Sequence, residues 1–471
     1  MTDRREYDLV VVGAGAVGEN VADYATQGGL KVAMVEAELV GGECSFWACM
    51  PSKALLRAGA AVRAASAVQG VSSPGVVDPS EVFARRDKVV HDWDDSSQVT
   101  WADGAGIDTI RGHARITGVK QLTVTAADGT VIELTARHAV AIATGSAALL
   151  PDIPGLLDLQ PWTSREATSA RAAPPSLVVL GGGVVGLEMA TAYCDLGSEV
   201  TVIARGGLLS TQEPFAGELV AAALTARGVT VKTGVDAVSA RPDGHDGVLT
   251  LSDGSEVRGA QVLVATGRIA RTGDLGVETI GLTPGEFLDV DDTMLVRGYD
   301  WLYAVGDVND RTLLTHQGKY QARAAGDVIA ARATGRAVDD ARWGRHVATA
   351  DAAAVPQVTF TDPEVAAVGL TAAAAEKAGH RIRVVDYDLS WLAGATVQAD
   401  DYVGSARAIV DEDRHVLLGM TLVGSGVGEM IHAATIAIVG EVPLDRLWHA
   451  VPSYPTLSEV WLRLLETYRR G

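Results

Sequence analysis

Gly41-Gly42-Glu43-Cys44-Ser45-Phe46-Trp47-Ala48-Cys49-Met50-Pro51-Ser52-Lys53 holds two of the chain's three cysteines, five positions apart. The spacing is awkward for a bonded pair inside one helix. Five residues of regular α-helix rise about 7.5 Å, whereas bonded cysteines keep their Cα atoms about 4.4–6.8 Å apart. Either the segment is distorted or the regular helix starts near Cys49. Pro51 favours the second arrangement, because N–H groups in a first helical turn have no intrahelical partner and proline is tolerated there. Cys49 then stands at the positive end of a helix dipole, which lowers a thiol pKa and favours the thiolate. A close cysteine pair in a long chain is catalytic or metal-binding; two unpaired structural thiols are the alternative reading. No further Cys or His stands nearby to complete a zinc site.

Upstream of this stretch, residues 7–12 form a β-branched apolar run. Gly13-Ala14-Gly15-Ala16-Val17-Gly18 follows, then a helical pattern through Gln27 and a second strand ending at Glu36. Strand, G-x-G-x-x-G, helix, strand and acid, in that order, make a dinucleotide-binding βαβ unit. The glycines admit a pyrophosphate to the backbone, and the helix N-terminus offers N–H groups and a favourable dipole. Glu36 is placed to accept hydrogen bonds from a ribose hydroxyl. Downstream come a long helical pattern and a polar segment rich in Asp and Trp, about 91–103. Short strands at 114–116, 122–125 and 131–134 read as a small antiparallel insert, and 139–145 as a buried strand ending in Thr144-Gly145. Pro151, Pro154 and Pro161 mark a linker.

The pattern then repeats. A strand at 177–180 leads into Gly181-Gly182-Gly183-Val184-Val185-Gly186, with Glu188 just beyond, a helix to about 196 and a strand at 200–203. Two such units imply two different dinucleotides. The position equivalent to Glu36 is Ala204, and Arg205 follows it. A carboxylate there favours the free 2′-OH of NAD, while an arginine pairs with the 2′-phosphate of NADP. The reading is therefore NADPH, with NADH possible. Ala265-Thr266-Gly267-Arg268 and Tyr303-Ala304-Val305-Gly306-Asp307 each end a strand, and a helical pattern starts near Thr315. Residues from about 345 to 471 carry no dinucleotide loop, alternate strands (355–360, 382–386, 408–411, 416–423) with helices, and finish in an amphipathic helix.

A chain of 471 residues is too long for one core. Its net charge of −20 makes it a poor binder of nucleic-acid phosphates or anionic membranes, so neither partner is expected. No run of about 18 apolar residues and no signal peptide is evident, and three cysteines do not make an extracellular disulfide framework. A cytoplasmic protein is expected.

Five motifs together resemble the pyridine nucleotide–disulfide oxidoreductase family, which includes dihydrolipoamide dehydrogenase, glutathione reductase, mercuric reductase and soluble transhydrogenase. They are the first Gly loop with Glu36, the cysteine stretch, the second Gly loop, Ala-Thr-Gly-Arg and Tyr-Ala-Val-Gly-Asp, and the likeness covers essentially the whole chain. It implies an α/β protein with two Rossmann-type dinucleotide-binding domains plus an α+β C-terminal dimerisation domain. The expected boundaries are 1–150 and 271–342 for FAD, 151–270 for NAD(P)H and 343–471 for the homodimer interface. FAD would meet Gly13, Gly15, Gly18, Glu36, Gly42, Lys53, Ala114, Thr144, Gly145, Asp307 and Thr315. NAD(P)H would meet Gly181, Gly183, Gly186, Arg205, Gly267 and Arg268. The resemblance also implies a redox-active disulfide, with Cys49 as the flavin-side thiolate and Cys44 as the outer, interchange thiol. Lys53 and Glu188 would form an ion pair beside the flavin.

One departure bears on the acceptor. Disulfide-reducing members end in His-Pro-Thr-x-x-Glu, the histidine being lent by the other subunit as acid and base for the interchange thiol. Here the residues are Tyr454-Pro455-Thr456-Leu457-Ser458-Glu459. Tyrosine, with an ordinary pKa near ~10, is far from the operating pH that suits a base, and loss of a general base typically costs about 10²–10⁴ in rate. His449 is read as a surface or interface histidine. Tyrosine at this point is similar to mercuric reductase and soluble transhydrogenase. The former usually end in a vicinal cysteine pair, absent from Glu466-Thr467-Tyr468-Arg469-Arg470-Gly471, and the latter lack one active-site cysteine, whereas both are present here. Phe46 and Trp47 are bulkier than the usual residues between the cysteines, and Cys194 reads as a packed core thiol. The expected function is transfer of electrons from NADPH to a small acceptor: a quinone, an electrophile or a metal ion. The alternatives are a disulfide reductase working through Tyr454 or His449, and a flavoprotein subunit or redox sensor with minor turnover.

Overall fold

The computed structural model describes residues 3–73 and 75–470; Met1, Thr2 and Gly471, read as parts of the polar lead-in and the tail, lie outside them. The chain forms two compact units. The first gathers Met1–Pro51, Asp87–Leu149 and Gly267–Asp351. The second gathers Ser52–Arg86, Leu150–Thr266 and Ala352–Gly471.

In the first unit β1 (Asp3–Val12), α1 (Ala16–Gln27) and β2 (Val32–Glu36) make the expected βαβ hand. Leu9, Val10, Val11, Ala33 and Met34 are fully buried, as a parallel sheet covered on both faces requires. Next come α2 (Gly42–Phe46) and α3 (Cys49–Ser66), the latter opening in this unit and continuing in the second. The strands β3 (Asp108–Arg111), β4 (His113–Gly118), β5 (Gln121–Thr125) and β6 (Val131–Ile142) complete a sheet of order β3-β2-β1-β6-β5-β4, and Leu302–Ala304 also pairs with β6.

One expectation is corrected here. The third strand of the antiparallel insert and the buried strand beyond it are a single strand, β6. Its first half pairs antiparallel with β5, Ile132 opposite Val124. Its second half pairs parallel with Leu302–Ala304, Val140 opposite Leu302. The burial explains the misreading: alternating exposure over the first half marks a strand covered on one face, and four buried residues at the end mark one covered on both. The change of period looked like a break between elements.

The second unit holds a parallel sheet of order Thr230–Thr233, Glu199–Ala204, Ser176–Leu180, Gln261–Val264. The helix Val184–Asp195 follows the second Gly loop and is buried along most of its length. Arg63 of α3 donates to Asp195 at 2.5 Å, and Arg227 donates to the same carboxylate at 2.6 Å. These bonds fix α3 against Val184–Asp195 and so set Lys53 opposite Glu188. The C-terminal residues form a five-stranded antiparallel sheet of order Pro356–Thr359, Glu364–Gly369, Val416–Gly424, Ser405–Asp411, Ile382–Asp388. Glu364–Gly369 was not anticipated, since Val365-Ala366-Ala367-Val368 is small-residue-rich and carries little strand signal. The amphipathic helix Val460–Arg470 buries Val460, Leu464 and Leu465 along one face. No helix among the described residues is long and apolar enough to cross a membrane.

Candidate active site

The first Gly loop is shaped for close approach. Gly13 has φ +97°, and a Cβ there would lie 2.5 Å from the Ala143 carbonyl oxygen. Gly42 has φ +60°, and its Cβ would lie 2.8 Å from the Cα of Gly15. Gly18 is buried in α1. Glu36 accepts the Ala14 N–H through Oε2 at 2.8 Å and the Glu38 N–H through Oε1 at 2.8 Å. Burial raises its pKa, and those two N–H groups oppose the rise. Ala114 is buried in β4. The hydroxyl of Thr144, buried beside Gly145, has no hydrogen-bond partner among the described residues.

Asp307 accepts the Ser146 hydroxyl at 2.5 Å. Arg268 donates to the Ser146 hydroxyl at 2.5 Å and to its carbonyl at 2.8 Å, and its Nε lies 3.7 Å from Asp307. Gly267 and Arg268, expected on NAD(P)H, thus lie in the first unit, and Arg268 braces Asp307. Ser146 was not singled out in the sequence, although it directly follows the Thr144-Gly145 strand end.

The cysteine spacing resolves through two helices. α2 lasts five residues, Trp47 closes it by donating to the Glu43 carbonyl at 2.8 Å, and Trp47 and Ala48 are non-helical. Cys49 is then the first residue of α3. No disulfide joins Cys44 to Cys49 in the structure. The Cys44 thiol is held far above the ordinary cysteine range, first by its hydrogen bond to Cys49, then by burial and by negative charge on Cys49, with Thr315 and Lys319 opposing. Cys49 opens α3, where the helix dipole favours a thiolate. The Thr315 hydroxyl, at the start of the helix Thr315–Ala333, lies 3.4 Å from the Cys49 sulfur. Lys319 stands one turn further along that helix; nothing in the sequence distinguished it from a surface lysine.

In the second unit Lys53 donates to Glu188 at 2.7 Å. Glu188 is only 3% exposed, and its other oxygen accepts the Phe360 N–H at 3.0 Å. The Lys53 ammonium also lies 4.7 Å from the Phe360 ring centre. Gly181 and Gly183 line the turn into Val184–Asp195, and Gly186 is buried in that helix's first turn. Ala204 is buried at the tip of its strand, while Arg205 is exposed and makes no ion pair among the described residues. Tyr454 is 76% exposed, and His449 is exposed as expected. Glu459 is 5% exposed; its Oε2 has no partner among the described residues and its Oε1 lies 3.6 Å from Arg463. No hydrogen bond among the described residues joins Tyr454 to Glu459.

Residues 7–327 match the family described as pyridine nucleotide-disulphide oxidoreductase, and residues 355–464 match its dimerisation domain. The chain belongs to this family. It is 33% identical over 470 residues to a mercuric reductase of Streptomyces lividans, covering 98% of this chain and 96% of that protein. It is also 33% identical over 479 residues to a dihydrolipoyl dehydrogenase of Thermus scotoductus, covering 99% and 98%. The HOCl-induced flavoprotein disulfide reductase RclA from Escherichia coli, solved as a Cu(II) complex, shares the fold with a TM-score of 0.85 at 24% identity, covering 98% of this chain and 99% of that one.

The protein is accordingly an FAD-dependent NAD(P)H oxidoreductase of the pyridine nucleotide-disulphide class, and its dimerisation domain supports a homodimer. The first unit fits FAD on its own geometry. Gly13 and Gly42 let the loop backbone pack against Ala143 and Gly15 with no room for a Cβ, Glu36 ends the second strand, and Thr144 keeps a buried hydroxyl without a partner among the described residues.

Proposed function

We propose that this enzyme passes electrons from NADPH through Cys44 and Cys49 to a small acceptor: a quinone, an electrophile or a metal ion. The observation that carries the reading is the cysteine pair, Cys44 inside α2 and Cys49 opening α3, combined with tyrosine at position 454. FAD, when bound, supplies the conversion of a two-electron hydride into thiol or one-electron chemistry. Gly13, Gly15, Gly18, Glu36, Gly42, Ala114, Thr144, Gly145, Asp307 and Thr315 would hold it, with Asp307 kept in place by Ser146 and Arg268. Residues 1–150 with 271–342 would serve FAD, 151–270 NADPH, and 343–471 the dimer.

The dithiol step balances as NADPH plus H⁺ plus the Cys44–Cys49 disulfide giving NADP⁺ and two thiols. The unpartnered guanidinium of Arg205 supports NADPH over NADH, because a 2′-phosphate offers it a charge-assisted bond that a hydroxyl does not. Cys44, its pKa held up by Cys49 and by burial, keeps its proton. A bulky disulfide would need that proton removed and returned by a base, and Tyr454 is a poor one. A small acceptor that takes electrons or binds thiolate directly avoids the requirement. Among the relatives, the mercuric reductases act on a small acceptor and the dihydrolipoyl dehydrogenases on a dithiol; Tyr454 favours the first kind.

The test is anaerobic titration of wild type and Cys49→Ser with NADPH and with NADH, followed by turnover with a quinone, Hg²⁺ and lipoamide. The expected result is preferential reduction by NADPH and faster turnover of the small acceptors. Lipoamide turnover equal to that of the small acceptors, and abolished in Cys49→Ser, would instead establish a disulfide reductase.

A further inference from the structure

We infer that the segment from His91 to Asp95 is a clasp that sets Cys44 against Cys49, with Trp93 and Asp95 as positioning residues of the dithiol. The inference deepens the redox reading above, on which its purpose rests.

The need for a clasp follows from α2. A helix of five residues cannot hold itself together, because one turn fixes several dihedrals for very few hydrogen bonds. Its last carbonyls have no partner inside the helix. Cys44 sits in the middle of this weak element, and its bond to Cys49 requires α2 to keep its place relative to the first turn of α3.

His91–Asp95 grips both ends of α2. The Trp93 indole N–H donates to the Phe46 carbonyl at 3.2 Å, supplying a partner for the last carbonyl of the helix. The Asp95 carboxylate accepts the Val40 N–H at 2.7 Å, just before the Gly41-Gly42 turn that starts α2. Arg111 pairs with that same carboxylate and donates to the Glu38 carbonyl at 2.7 Å, so Asp95 is itself anchored to the end of β2. The backbone of the segment is unusual. His91, Asp92 and Trp93 have φ of 51°, 52° and 59°, three consecutive non-glycine residues in the left-handed region. Hydrogen bonds from Trp93 N to Val90 O and from Asp94 N to His91 O, both 2.9 Å, close this turn. A conformation of that kind persists only where its surroundings over-determine it. His91 and Asp92 are exposed and gain little from burial, so the bonds made by Trp93 and Asp95 are what the turn delivers.

The test uses the full-length reduced protein and reads the initial alkylation rate of each cysteine with iodoacetamide by peptide mass spectrometry. Cys194, which donates to the Arg227 carbonyl in the second unit, is the internal control. Trp93→Phe keeps the ring and deletes only the N–H. It should raise the ratio of Cys44 to Cys194 modification at least fivefold, because a loosened α2 frees the Cys44 thiol from Cys49. A ratio within twofold of wild type would overturn the inference. If Trp93→Phe does not fold, Asp95→Asn is read by the same ratio and the same two thresholds. A wild type that forms no Cys44–Cys49 disulfide on oxidation, beside a fivefold rise in the variant, would remove the redox reading and leave the clasp standing.

Discussion

Glu188 is a buried carboxylate with two partners, the Lys53 ammonium and the Phe360 N–H. Lys53→Ala leaves it with one. A buried charge stripped of a partner costs about 1–3 kcal/mol, so the variant should unfold at lower urea by roughly that amount. Arg205 gives a specificity prediction. Losing a charge-assisted bond worth about 1.5–3 kcal/mol should lower the NADPH-to-NADH ratio of kcat/KM by about 10–100-fold in Arg205→Ala, measured under steady-state conditions. The sequence marks these residues by type and spacing: a lysine two places past a cysteine–proline motif, an arginine one place beyond where an acid usually stands. Arg268 was less legible. Its motif points to a nucleotide, but the strand Arg268–Ala270 pairs with Ser146–Ala148, which turns its guanidinium to Ser146 and Asp307. Only the pairing reveals that, and pairing is not local in sequence.

α1 carries a pH-dependent cost. Burial pushes Glu19 from 4.5 to about 7, helped by the charge of Glu36 and opposed by Lys319. Its Oε1 is buried with no hydrogen bond among the described residues. A carboxyl whose folded pKa lies above its unfolded one binds more protons folded than unfolded in the window between them. Stability therefore falls as pH rises from 4.5 towards 7 and levels off above it. Glu19→Gln should remove that slope and be more stable than wild type by roughly 2–3 kcal/mol at pH 8, with little difference near pH 4.5, in urea unfolding at the two pH values. The turn at His91–Trp93 offers a second check. Left-handed backbone costs a residue with a Cβ roughly 1–2 kcal/mol, and more where the side chain is β-branched. Asp92→Val should therefore unfold at lower urea than Asp92→Gly by about that amount. The long elements were readable from their periodicity, as with α1 and the helix Thr315–Ala333. β6 was not, because its partners change along its length, nor was the left-handed turn, which has no glycine to announce it.

The order of motifs along 471 residues was enough to indicate an α/β protein with two dinucleotide-binding hands and a dimerisation domain. How the chain divides was harder to see. The first unit takes three separate stretches, and its last returns from beyond the second Gly loop to place Gly306-Asp307 and Thr315 beside the first. Such long-range closure leaves only weak marks in local sequence. The dimerisation domain leads to a further expectation: sedimentation should give twice the chain mass, and Tyr454, exposed on its own chain, should become protected from solvent in the dimer. The choice of electron acceptor depends on the identity of residue 454. The most direct measurement is NADPH-driven turnover of lipoamide, against that of a quinone or Hg²⁺, in wild type and in Tyr454→His. Slow lipoamide turnover is expected in wild type, with a rise of about 10²-fold or more when histidine restores a base and the small acceptors little changed. Lipoamide turnover in wild type as fast as that of the small acceptors, and no faster in Tyr454→His, would contradict it.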